Sequence, residues 1–248
     1  MIEYHLDIAT ADGAMNSFVV HPEEGQPFPV VLFYMDAPGK REELHDMARR
    51  IAAVGYYVVL PNLYYRHSRD FRLTERTEPA MARMFALMHT LDATTVECDT
   101  RAMLHFIDTQ PQADGGSIGA VGYCMSGPFV MWAAAVFPER IRCIASIHGA
   151  SMVTDRADSP HLMAPRILCE SYFACAETDK WAPPADIEKL QVALHAAGAR
   201  YRIEWYPGVE HGFVFPLRTG IYNQAAAERH WERLFSLFRG ALPRAGGG

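Results

Sequence analysis

Apolar runs of strand length alternate along this chain with segments whose apolar residues recur at helical spacing. That alternation constrains the fold more than any other feature. "PFPVVLFYM", "YYVVLP", "SIGAVGY", "IRCIASIHG" and "RILCESYFAC" are near-continuous in apolar or small residues. Strands apolar on both sides need covering on both sides, so they read as a mostly parallel central sheet with helices on both faces. The intervening helices are read in "REELHDMARRIAAVG" (Leu44, Met47, Ala48 and Ile51 on one face, Gly55 as the stop), near 79–91 and 94–109, in "MSGPFVMWAAAVF", "DIEKLQVALHAAG" and "AAAERHWERLFSLFRG". The last presents Trp231, Leu234, Phe235 and Phe238 together. "YRIEWYP" reads as the final strand. "IEYHLDIAT" and "MNSFVVHP", flanking "ADGA", read as an N-terminal antiparallel hairpin. The expectation is a single α/β domain over residues 1–248, with a frayed tail at 241–248.

Composition removes several function classes. With 29 acidic against 23 basic residues the net charge is −6, which supplies no basic footprint for nucleic acid and no polybasic membrane patch. No apolar run approaches the roughly 20 residues of a membrane span. The five cysteines are irregularly spaced without a CxxC, so neither a disulfide framework nor a thiolate zinc site is expected. The N-terminus alternates like a strand and carries acids, unlike a signal peptide. A reduced, soluble, cytoplasmic protein that needs no metal or organic cofactor is expected.

In a parallel sheet of this kind, ligands sit outside the carboxyl ends of the strands. The loops "MDAPGK", "CMSG", "AETDKWAPP" and "GVEHGF" all fall there. "GAVGYCMSG" runs strand, Gly-x-Cys-x-small, helix, the pattern of a nucleophile elbow. Gly122 and Ser126 are the small residues two positions either side of Cys124, where strand and helix approach closely. The following helix N-terminus favours a thiolate or an oxyanion. Cys143 and Cys169, in mid-strand, read as core. A phosphate cradle fits less well, for lack of the Walker lysine and the Rossmann glycine spacing.

A nucleophile needs a base and an orienting acid. His211 follows a strand late in the chain, and Asp179 ends a strand between nucleophile and histidine. His148, in "SIHGA", is the rival base and suits packing beside the site. Glu177 lies too early in its loop, and Asp186 opens the next helix. Residues 62–79, "NLYYRHSRDFRLTERTEP", form a long excursion with Tyr64, Tyr65, Arg66, Arg69 and Arg72, read as shaping a substrate pocket.

In these stretches the chain resembles the dienelactone hydrolase family, a cysteine branch of the α/β-hydrolases. "GYCMSG", "ETDKWAPP" and "EHGFVFP" carry the resemblance, with "YYVVLPNLYYR" as a weaker fourth. It covers essentially the whole chain and implies the α/β-hydrolase fold and the same triad of Cys124, His211 and Asp179. Two departures follow from the family pattern. Asp36 stands where the best-known members carry a glutamate against the resting thiol. Met81 and Phe215 stand where they carry substrate-binding arginines, with Arg83 and Arg218 nearby but out of register. Asp36 is thus a candidate for tuning the thiol, and Tyr64, Arg83, Tyr123 and Arg218 are candidate substrate contacts.

The chemistry expected is hydrolysis of an activated ester or lactone through an acyl-cysteine. The oxyanion would take backbone N–H bonds from Met125 and from Ala37, because Pro38 has no N–H. Thioester hydrolysis or acyl transfer with the same triad is the alternative. A non-catalytic or redox-sensing scaffold is the second alternative. The expected partner is a small-molecule ester or lactone.

Overall fold

The structure, a computed structural model, describes residues 1–25 and 27–242. Its eight strands follow the order β1-β2-β4-β3-β5-β6-β7-β8. By contacts the chain divides into two compact units, Met1–Ile118 and a second that begins at Gly119.

The first unit opens with the expected hairpin. β1 (Ile2–Thr10) and β2 (Gly13–His21) pair antiparallel from Ile2 opposite His21 to Thr10 opposite Gly13. β2 also runs antiparallel to β4 (Tyr57–Pro61), and β3 (Phe28–Tyr34) pairs parallel with β4. Every residue of β3 and of β4 is buried, which is why neither alternates. α1 (Glu42–Ala52) buries Leu44, Met47, Ala48 and Ile51, the face the spacing predicts. Glu42 and Glu43 in its first turn and Arg49 and Arg50 in its last complement the helix dipole. α2 (Glu78–Met88) and α3 (Ala93–Asp108) follow. Asp92 caps α3 through the Thr95 N–H while the Thr95 hydroxyl accepts from the Asp92 N–H.

β5 (Ala113–Tyr123), which begins in the first unit, leads through a single 3-10 turn, Cys124–Ser126, into α4 (Gly127–Val136) in the second. β6 (Ile141–Ile147), β7 (Glu170–Thr178) and β8 (Tyr201–Glu210) pair parallel in sequence. α5 (Pro184–Ala196) joins β7 to β8, and α6 (Gln224–Ala241), capped by the Asn223 side chain on the Ala226 N–H, follows β8.

Three expectations need correcting. The strand read in "RILCESYFAC" begins at Glu170 rather than Arg166, because Pro160–Arg166 forms a 3-10 turn containing Pro165. On α6, Leu237 rather than Phe235 completes the buried face with Trp231, Leu234 and Phe238. The tail read at 241–248 starts too early: Ala241 closes α6 and Leu242 is buried. The rest of that tail lies outside the described residues. Among the described residues no helix is long and apolar enough to cross a membrane.

Candidate active site

Cys124 sits at the corner between β5 and α4 with φ +56°, a conformation that a side-chain-bearing residue holds only under constraint. The constraint is visible in the hydrogen bonds. The Tyr123 N–H donates to Ser126 Oγ at 2.9 Å, and the Ser126 hydroxyl donates back to the Tyr123 carbonyl at 3.1 Å. The turn is so tight that a Cβ on Gly122 would lie 2.1 Å from the Ser126 carbonyl oxygen. Only glycine fits there, as the elbow pattern requires.

His211 follows β8 directly, and its ring bridges two partners. Nε2 lies 3.0 Å from Cys124 Sγ, and Nδ1 lies 2.7 Å from Asp179 Oδ2. Asp179 is buried just past the end of β7, and its other oxygen accepts the Trp181 N–H at 2.9 Å. This Asx turn is a contact sequence reasoning missed; an aspartate two residues before a loop amide is its only signal. Burial pulls the His211 imidazole down in pKa, but the negative Cys124 sulfur and the Asp179 carboxylate outweigh it and raise the ring to about 9. The shift favours the protonated ring beside the sulfur.

The other cysteines differ. Burial pushes Cys169 up to about 11 and Cys175 up to about 12, and raises Cys143 well above the ordinary thiol range. Glu177, near the end of β7, accepts the exposed Gly208 N–H of β8, and Asp186 lies in the first turn of α5, so neither carboxylate is at the histidine.

Of the remaining candidates in this unit, Met125 is buried in the turn after Cys124. Tyr123 is fully buried, its hydroxyl 3.0 Å from His230 Nε2. The Arg218 side chain folds back over Gly212, the residue after His211. A Cβ on Gly212 would meet Arg218 Nη1 at 2.0 Å, and the guanidinium stacks 4.6 Å from the centroid of Phe215.

The first unit holds the others. Asp36 is fully buried and takes both terminal nitrogens of Arg41, which also binds Glu43. Arg41 thus offsets the charge of Asp36, a pairing the sequence did not advertise. Ala37 is buried, and its carbonyl accepts the hydroxyl of the equally buried Tyr64 at 3.0 Å. Within the 62–79 excursion Tyr65 and Arg66 are committed to the buried Asp99. Arg72 and Arg83 line a cavity of about 530 Å³ beside Phe71 and Thr77.

A largely parallel α/β sheet with a strained cysteine on a strand–turn–helix corner, and a histidine and an aspartate from later strand ends, is the arrangement of an α/β-hydrolase fold. A sequence model of the dienelactone hydrolase family matches residues 15–242, and the chain belongs to that family of hydrolases. Among its relatives is a candidate carboxymethylenebutenolidase of Synechocystis sp., 25% identical over 228 residues, with 91% of each chain covered. The carboxymethylenebutenolidase of Pseudomonas putida is 23% identical over 235 residues, covering 94% of this chain and 95% of that one. The fold is similar to the crystal structure of a candidate dienelactone hydrolase from Klebsiella pneumoniae, with a TM-score of 0.86 at 22% identity over 96% of this chain and 98% of that one.

Proposed function

We propose that the chain cleaves an activated carboxylic ester or a lactone through an acyl-cysteine intermediate, with Cys124 as nucleophile, His211 as base and Asp179 as orienter. The observation that carries this is the continuous chain of contacts from Asp179 through His211 to Cys124, ending on a cysteine held at a strained corner.

The thiolate sulfur attacks the carbonyl carbon, and the π electrons move onto the carbonyl oxygen. The Met125 N–H, next along the turn, is the donor assigned to that oxyanion. The oxyanion collapses, the C–O bond to the leaving group breaks, and the imidazolium of His211 protonates the departing oxygen. The acyl group now occupies the sulfur, so the negative charge that kept a proton on His211 is gone. The neutral ring takes a proton from water, the hydroxide attacks the thioester, and the carboxylic acid leaves as the thiolate re-forms beside the protonated ring, then loses its proton to solvent. One histidine serves both half-reactions because acylation itself switches its basicity.

A thiolate is a good leaving group. The first tetrahedral intermediate goes forward only when the substrate's own leaving group competes with it. That favours enol lactones, aryl esters and thioesters over amides. The names of the carboxymethylenebutenolidase relatives fit this choice. Arg218, lying over Gly212, is the residue assigned to an anionic substituent on the substrate.

A series of acetate esters graded in leaving-group acidity, with an enol lactone and an anilide, tests the reading. kcat/KM is expected to fall steeply as the leaving group becomes more basic, with the anilide inert. A flat series, or an anilide cleaved as fast as the aryl esters, would rule out the acyl-cysteine route.

A further inference from the structure

The loop His148–Ser151, just after β6, contributes no member of the triad yet touches the support of each. The Ala150 N–H donates to the Cys124 carbonyl at 2.9 Å. The Ser151 N–H donates to the Trp181 carbonyl at 2.9 Å, and the Trp181 N–H in turn holds Asp179. The His148 ring stands edge-to-face against the ring of His211, centroids 4.8 Å apart at 66°. This loop is held under constraint: His148 has φ +39° and Ser151 φ +55°, and the His148 N–H is tied to the Ala174 carbonyl of β7 at 2.7 Å. With Cys124, these are the three left-handed residues other than glycine among the described residues.

His148 is an unusual choice for its place. It is 1% exposed and boxed by Tyr123, Phe213 and Phe215 as well as His211. Neither ring nitrogen has a hydrogen-bond partner. Burial first, then the charges of His211, Arg218 and His230, hold the ring well below the ordinary histidine range, so it is uncharged. Such a ring can act on its neighbour only through its shape and its neutrality.

We propose that His148 is a positioning residue that fixes the tilt of the His211 ring. The inference rests on the triad reading above. His211 must present Nδ1 to Asp179 and Nε2 to Cys124 at once, and a tilt of its ring breaks both contacts. Asp179 anchors one edge of the ring; His148 blocks its movement out of line. Because the blocking ring is neutral, it does so without repelling the imidazolium.

Two substitutions separate the ring from the backbone it sits on. His148→Asn suits a left-handed backbone but removes the ring; His148→Phe keeps a ring, without nitrogens, on a backbone it tolerates less well. The readouts are the rate of Cys124 alkylation by iodoacetamide, the pH titration of the His211 ring protons by NMR, and kcat against KM for an aryl ester. The Asn variant is expected to alkylate more slowly, to titrate at a lower pH, and to lose about tenfold or more in kcat with little change in KM. The Phe variant is expected to stay within about threefold of the parent on each. A purely structural role predicts the reverse order, since Phe is the residue that strains the loop. An Asn variant that behaves like the parent, or a folded Phe variant as damaged as Asn, would overturn the proposal; should Phe not fold, the Asn titration decides alone. Alkylation and titration need no ester, so they judge His148 even if the parent protein hydrolyses none of the esters offered.

Discussion

At the residue scale, one electrostatic relation organises the site: the Cys124 sulfur, together with the Asp179 carboxylate, lifts the His211 ring to about 9, against the downward pull of burial. Removing the sulfur therefore predicts a specific change elsewhere. In Cys124→Ala the His211 ring protons should titrate well below their midpoint in the parent, by NMR; an unmoved midpoint would mean that the sulfur is not charged beside the ring. The same substitution should abolish ester hydrolysis. Cys124→Ser should be nearly as inactive, because a hydroxyl needs a stronger base arrangement than a thiol. Brief iodoacetamide treatment followed by peptide mapping should label Cys124 ahead of Cys143, Cys169 and Cys175, whose thiols burial keeps protonated. Asp179→Asn should lower kcat by about 10²-fold or more, since the ring loses the partner that fixes its tautomer. Even labelling of all the cysteines, or an undiminished Asp179→Asn, would break the assignment.

At the scale of elements, the elbow and α6 respond oppositely to the same substitution. A methyl group on Gly122 would meet the Ser126 carbonyl oxygen at 2.1 Å, whereas one on Gly240, in the last turns of α6, meets nothing within 4 Å. Gly122→Ala should cost about 1–3 kcal/mol as the turn is forced apart, and should remove activity before the fold is lost. Gly240→Ala should raise stability by up to about 1 kcal/mol through helix propensity alone. Chemical denaturation of both variants checks the pair; equal effects would show that the elbow is not sterically closed. The elbow was legible in the sequence because its demand for small residues is local and falls within five positions. α1 was legible because burial selects one face of it. The start of β7 was not, because "RILC" is apolar enough for a strand while the 3-10 turn Pro160–Arg166, with Pro165 inside it, diverts the chain. The bracing loop His148–Ser151 was legible only as a histidine after a strand. Its hydrogen bonds are main-chain and run to three separate segments, which no side-chain pattern records.

At the scale of the whole molecule, the arginines explain why a family resemblance did not specify a substrate. Along 62–79 the sequence shows a basic, aromatic stretch, but it cannot show that Arg66 is spent on Asp99 and Arg69 on Asp7. Those pairings are made across more than 30 residues of sequence. Arg72 and Arg83 line the cavity in the first unit, and Arg218 folds over the residue after His211 in the second. Arg218→Gln should raise KM for an anionic aryl ester several-fold more than for its neutral analogue, and Arg83→Gln should affect both alike if its cavity serves another purpose; steady-state kinetics with the matched esters reads the difference. Beneath all of this lies the acyl-cysteine itself. The most direct measurement is intact-mass spectrometry and peptide mapping after mixing the protein with p-nitrophenyl trimethylacetate, whose crowded acyl group slows attack by water, and quenching in acid. A stoichiometric burst of nitrophenol and one trimethylacetyl group, carried on Cys124, are expected. Nitrophenol released with no adduct on the protein, or an adduct on any other residue, would contradict the acyl-cysteine route.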